Sequence, residues 1–230
     1  WGFDLLKIDF LFAGTFGGTR NVPMLGMEAY AKALSLIRDA AGEGVILLAV
    51  GAPGIPSFPF VDSWRIGADI AFEQTDVNWH FIPNQARSIA SRWFLCDRTL
   101  CDADPILLRG LPRNEVEVGA WLPALAGGAL FLSDDLREVE TNRYDWGLDS
   151  LRLHLAIGKK PSVPIDFYPI EPPEDLATIW VDFVWEKTTH QVPRHWLLPD
   201  GQELVINFYE EDYLDSEGQR YQPRSAQLRK

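Results

Sequence analysis

Two aspartates stand where chemistry could be done. Asp9 lies in the apolar run WGFDLLKIDFLFAG, from Trp1 to Gly14, and Asp69 lies near the end of DSWRIGADI, from Asp62 to Ile70. Both runs read as strands. A carboxylate held at the end of a buried strand must be offset by partners, because its charge leaves water. Lys7 precedes Asp9 by two residues and Arg65 precedes Asp69 by four. In a regular strand each cation shares a face with its carboxylate. Two carboxylates on separate strands of one scaffold are the minimum equipment for cleaving a glycosidic bond. The plainer roles for the same residues are a structural ion pair at Asp9 and a helix N-cap at Asp69.

Composition narrows the choice. A chain of 230 residues with net charge −12 and 47% hydrophobic residues can bury a sizeable core. Its acidity argues against nucleic acid or an anionic membrane as partner, since both call for basic patches, and fits a neutral substrate. No apolar run reaches the roughly 18 residues that a membrane span needs. Cys96 and Cys101 fit no common zinc spacing and the four histidines are scattered, so neither a metal nor a cofactor is expected. The cysteines are read as free and reduced, which favours a cytoplasmic setting.

The elements that must position the aspartates follow from periodicity. Strands are expected at Leu5–Phe12, Val45–Val50, Trp64–Ile70, Ile106–Leu108 and Ala129–Leu132. Helices are expected at Met24–Ala41, stopped by Gly42, and at Asn84–Phe94, Glu115–Ala126 and Tyr144–Ile157. Such alternation means βα units and a parallel sheet. After Lys160 the chain becomes proline-rich. It then carries the strand-like runs IWVDFVWE and ELVINFYE, with a turn signal at Pro199, Asp200 and Gly201. The expected fold is α/β over residues 1–160 and a small antiparallel, β-sandwich-like domain over 161–230. The polar tail from Ser216 to Lys230 is expected to fray.

Five stretches in order resemble the catalytic barrel of glycoside hydrolase clan D, in particular the family 36 α-galactosidases or melibiases. They are KIDFLFAG (Lys7 to Gly14), AYAKALSLIRDAAGEGVILLAVGAP (Ala29 to Pro53), VDSWRIGADI (Val61 to Ile70), LCDADPILLRG (Leu100 to Gly110) and ALFLSDDLREV (Ala129 to Val139). The similarity covers roughly residues 1 to 140. Cys101 and Ala103 stand where that family usually has Asn and Pro.

The resemblance implies the C-terminal half of a (β/α)8 TIM barrel followed by the small antiparallel β-domain, with the N-terminal half of the barrel as the missing partner. It implies a retaining α-galactosidase acting on α-galactoside oligosaccharides such as melibiose or raffinose. Asp9 would be the nucleophile and Asp69 the acid/base, their carboxyl groups facing each other across one pocket. Lys7, Arg65, Gly51 and Trp64 would contact the sugar, while Asp102 and Asp104 read as a solvated loop with one structural contact. Transfer of galactose, hydrolysis of N-acetylgalactosaminides and a non-catalytic carbohydrate-binding fragment are the alternatives. A half barrel would expose an apolar strand edge and so invite homo-oligomers.

Overall fold

A computed structural model describes residues 2–71, 77–156, 160–167 and 192–229. Trp1 and the run IWVDFVWE, from Ile179 to Glu186, lie outside the described residues.

Four short strands form a parallel sheet: β1 (Leu5–Ile8), β2 (Ile46–Ala49), β3 (Ser63–Arg65) and β4 (Leu100–Asp102), in that spatial order. Two parallel bridges, Asp102↔Ala129 and Ile106↔Leu132, carry the same progression one segment further. Between the strands run α1 (Gly26–Ala41), the single turn α2 (Gly54–Ser57), α3 (Phe81–Arg92) and α4 (Arg113–Ala126), with α5 (Leu148–Ala156) beyond. Each new strand adds to the same edge as the last. A doubly wound sheet would reverse direction at a switch point, whereas here the order is sequential. Among the described residues β1 pairs only with β2.

The helices form for local reasons. In α1 the inward positions Tyr30 and Leu34 are buried, and Glu28 reaches back to accept the Leu25 N–H at 2.8 Å. Gly42, at φ 80°, ends the helix where a side chain would be strained. Helix α4 is apolar on nearly every side because it packs against α5, α3, β4 and the last strand, Ser225–Arg229. Gly127, at φ 67°, terminates it.

The C-terminal strands are β5 (Val163–Pro164), β6 (His195–Leu197), β7 (Glu203–Asn207), β8 (Tyr213–Leu214), β9 (Arg220–Tyr221) and β10 (Ser225–Arg229). An antiparallel sheet has the order β10-β7-β6-β5, and β8 pairs with β9. Trp196, Leu204 and Ile206 are its buried centre.

Several expectations are corrected. The strands holding the aspartates are shorter than read: β1 stops at Ile8, where a 3-10 turn over Leu11–Thr15 follows, and β3 stops at Arg65. The fourth strand is Leu100–Asp102, and Ile106 contributes only an isolated bridge. The tail does not fray, since β10 pairs with β7 along five residues. Its polar side chains hid a strand held by backbone hydrogen bonds. Cys96 and Cys101 are not free but disulfide-bonded, with Cα atoms 5.2 Å apart. The chain turns back after α3 into β4, and that reversal brings the two together.

Gly128 shows how tightly the wall is built. A Cβ there would lie 1.8 Å from the Cys101 carbonyl oxygen, which itself accepts the Ala129 N–H. Gly128→Ala must therefore push the 129–132 segment away from β4. The expected loss is about 3 kcal/mol in urea unfolding, and an unchanged midpoint would show that the wall gives way there.

Candidate active site

The side chains facing inward from the sheet surround a cleft of about 390 Å³, lined among others by Lys7, Leu48, Arg65, Asp69, Asp104 and Arg109. Alternation along β3 decides what faces it. Arg65 points into the cleft, so Trp64, its neighbour, must point to the helices. There the Trp64 indole donates to the Ala52 carbonyl at 3.1 Å and meets the Phe58 ring edge-on, centroids 5.4 Å apart. A Cβ at Gly54 would come within 2.7 Å of the indole. The expected sugar contact at Trp64 is thus corrected: it is a core residue.

Arg65 organises the cleft. Its side chain is 5% exposed, and it faces three carboxylates. Nε donates to Asp102 Oδ2 at 2.6 Å, and Nη1 lies 2.7 Å from Asp104 Oδ1 and 3.0 Å from Asp69 Oδ1. Asp102 is wholly buried, and its other oxygen accepts the Asp104 N–H at 2.9 Å. The second Asp104 oxygen accepts the N–H of Ile70 at 2.7 Å, one residue beyond Asp69. Asp104 takes a left-handed backbone, φ 65°, of the kind that Asp tolerates better than most residues. The reading of Asp102 and Asp104 as a solvated loop with one structural contact is overturned. They hold Arg65, while Arg109 pairs with Asp134 at 2.7 Å. The signal available was the spacing of Asp102 and Asp104, two apart and so on one side of an extended segment.

Burial works against the Arg65 cation, but Asp102, Asp104 and Asp69 outweigh it and hold its pKa above the ordinary value. For Asp104 the balance is opposite. Burial pushes its carboxyl up to about 6, against the pull of Arg65 and the Ile70 N–H.

Asp69 lies past the end of β3, in the loop, with its side chain 56% exposed. It keeps its expected partner Arg65, though through the loop rather than along a strand. Gly67 lets this loop lie on α3, for a Cβ there would sit 1.8 Å from the Gln85 amide oxygen. Asp9 likewise lies just past β1. It does not line the cleft, and Lys7 and Asp9 form no ion pair. The reason is local. The strand ends at Ile8, so the alternation that would align Lys7 with Asp9 stops there. Asp9 instead accepts the Phe10 N–H at 2.7 Å. Gly51, at φ 55°, is its neighbour across the sheet, and a Cβ on it would lie 3.6 Å from Asp9 Oδ1. Asp9 and Asp69 therefore stand at the same, C-terminal rim of the parallel strands. Lys7, Arg65 and Asp69 share the cleft, Asp9 and Gly51 lie beside each other, and Trp64 is elsewhere.

No family model matches the sequence. Among solved structures the chain is similar to TtGalA, the α-galactosidase of Thermus thermophilus in complex with stachyose. Identity is 27% and TM-score 0.52, over 66% of this chain and 34% of that one. It is also similar to α-galactosidase I of Mortierella vinacea (15% identity, TM-score 0.57, 99% of this chain and 67% of that one). An isomalto-dextranase of Arthrobacter globiformis T6 complexed with panose matches at 17% identity and TM-score 0.58, over 98% of this chain and 43% of that one. The latter two likenesses are of fold. The chain has a TIM-barrel-related α/β fold and is glycoside-hydrolase-like, with α-galactosidases among its structural neighbours. It spans about a third of the length of the Thermus enzyme.

The raised Asp104 carboxyl has a consequence for stability. Between the ordinary value of 3.8 and about 6, the folded chain holds a proton that the unfolded chain releases. Stability from this group is fully present below pH 4 and is lost as pH rises through 6. Relative to Asp104→Asn, the native chain should lose on the order of 2 kcal/mol between pH 4 and pH 7 in denaturant titrations. A difference that grows with pH would contradict the assignment.

Proposed function

We propose that the chain carries catalytic residues of a retaining α-galactosidase of the clan D, family 36 type, acting on terminal α-galactosides of the melibiose or raffinose kind. The observation that carries this reading is the placing of Asp9 and the Arg65–Asp69 pair on one rim of a barrel-type wall, beside a cleft. In folds of this kind the C-terminal rim is where chemistry is done. The likeness to α-galactosidases supports it.

The steps follow from the residues. The Asp9 carboxylate attacks the anomeric carbon as the bond to the leaving oxygen breaks, and Asp69 gives that oxygen its proton. Asp69, now a carboxylate, takes a proton from water, and the oxygen of that water displaces Asp9 from the same carbon. Lys7 places an ammonium in the cleft to donate to sugar hydroxyls, and Arg65 orients Asp69. Gly51 keeps the backbone beside Asp9 clear of side-chain bulk. One strand separates β1 from β3, so their backbones stand roughly 10 Å apart. Both acids lie in loops beyond their strands, which lets them lean over β2 toward the separation of about 5 Å that retention calls for.

We read residues 1–160 as the C-terminal half of a (β/α)8 barrel and 161–230 as an accompanying β-domain. The exposed Phe3, Leu5, Phe10, Phe12 and Phe16 support this, since they gather around β1, where a further strand would cover them. The chain spanning a third of the Thermus enzyme supports it too. That Asp9 stands outside the cleft lining favours, as a second reading, a fragment that binds saccharides without turnover.

Two measurements separate these readings. A protein carrying this chain with a complete barrel should hydrolyse p-nitrophenyl α-galactoside with retention, read by proton NMR of the first-formed sugar. Asp9→Asn should lower kcat by roughly a thousandfold or more while leaving weak sugar binding. An inverted product, or an Asp9→Asn variant as fast as the native protein, overturns the mechanism. Binding with no turnover selects the second reading. The 230-residue chain alone should be inactive and self-associate through the β1 edge in sedimentation. A monodisperse, active monomer would contradict the half-barrel reading.

A further inference from the structure

We propose that Asp104 is a positioning residue for Asp69, and that the two share Arg65 in such a way that the proton on Asp104 is felt at Asp69. The geometry points there twice. One Asp104 oxygen lies 2.7 Å from Arg65 Nη1, the same nitrogen that donates to Asp69 at 3.0 Å. The other accepts the N–H of Ile70, which fixes the main chain next to Asp69. Asp104 thus holds both the cation that orients the Asp69 carboxylate and the loop that carries it.

Among the described residues the charges around this pair are few. Arg65 comes from β3, Asp102 from β4, Asp69 from the loop after β3 and Lys7 from β1, while Arg109 is engaged with Asp134. Asp102 is committed to Arg65 Nε and to the Asp104 N–H. Among the described residues, Nη1 is therefore divided between Asp69 and Asp104. When Asp104 is protonated, it stops competing as an anion and Nη1 serves Asp69. When it ionises, a second negative charge stands against the same nitrogen and the Arg65–Asp69 pair weakens. The Asp104 carboxyl, at about 6, makes that change inside the range where an enzyme works. Asp104 touches no substrate in this scheme and acts through Arg65 and the loop.

The inference rests on Asp69 being the acid/base for its meaning in catalysis, but its test needs no turnover. In the 230-residue chain labelled with carbon-13 at aspartate carboxyls, the Asp69 signal should show an inflection at the pH where the Asp104 signal itself titrates, near 6. Asp104→Asn, which keeps an acceptor for the Ile70 N–H, should abolish that inflection. A merely structural Asp104 would not move the Asp69 signal with pH. If the variant fails to fold, the native titration decides by itself. An Asp69 signal without a step at the Asp104 titration, or a step that persists in Asp104→Asn, overturns the proposal. Coupling in a chain whose complete protein turns over no galactoside supports the shared cation and contradicts the enzymatic reading instead.

Discussion

A single buried guanidinium holds the rim of this fold together. Arg65 is nearly free of solvent, and stripping water from a cation costs several kcal/mol unless the surroundings replace it. Asp102, Asp104 and Asp69 do so from three directions. Arg65 and Asp102 are also register partners across β3 and β4, so the ion pair and the strand pairing support each other. Three acids around one cation leave an excess of negative charge. The excess of acid is held by hydrogen bonds from the Asp104 and Ile70 N–H groups and by a raised Asp104 carboxyl.

That cluster depends in turn on the wall behind it. Parallel strands added in order put every strand end on one rim, and the loops that follow carry Asp9, Asp69 and Asp104 there together. The packing that fixes the strands is close. Gly128 lies against the Cys101 carbonyl, Gly67 against Gln85, and α4 packs against both β4 and β10. The C-terminal sheet contributes directly, since Arg224 reaches from the turn before β10 to Glu115 on α4 at 2.5 Å. Rigidity at the wall allows the exposed Asp9 and Asp69 to be held by short loops rather than by burial.

Much of this was legible in the sequence and some of it was not. The alternation of strands and helices gave the parallel sheet, because apolar runs and helical spacing are local signals. The Arg65–Asp69 pair expected from like-sided spacing on a strand forms through the loop instead, and the Lys7–Asp9 pair expected by the same rule does not form. Trp64 was misplaced although the same rule applies: if Arg65 faces the cleft, its neighbour cannot. The strand ends at Ile8 and Arg65 were not visible, since they are set by the turn at Phe10 and the packing of Gly67, both tertiary facts. Asp102 and Asp104 looked solvated because acidic residues usually are, and only the fold buries them. The disulfide between Cys96 and Cys101 arises from a chain reversal that spacing alone does not reveal. Strand β10 escaped because SAQLR is polar and is held through its backbone to β7.

The central claim is that Asp9 becomes covalently bonded to the sugar. The most direct measurement is mass spectrometry of a protein carrying this chain after incubation with an activated fluorinated galactoside whose ester with the enzyme hydrolyses slowly. The account predicts one added sugar mass on the peptide containing Asp9, lost again on long incubation. A label on another residue, or turnover with no labelled peptide at any time, would contradict it.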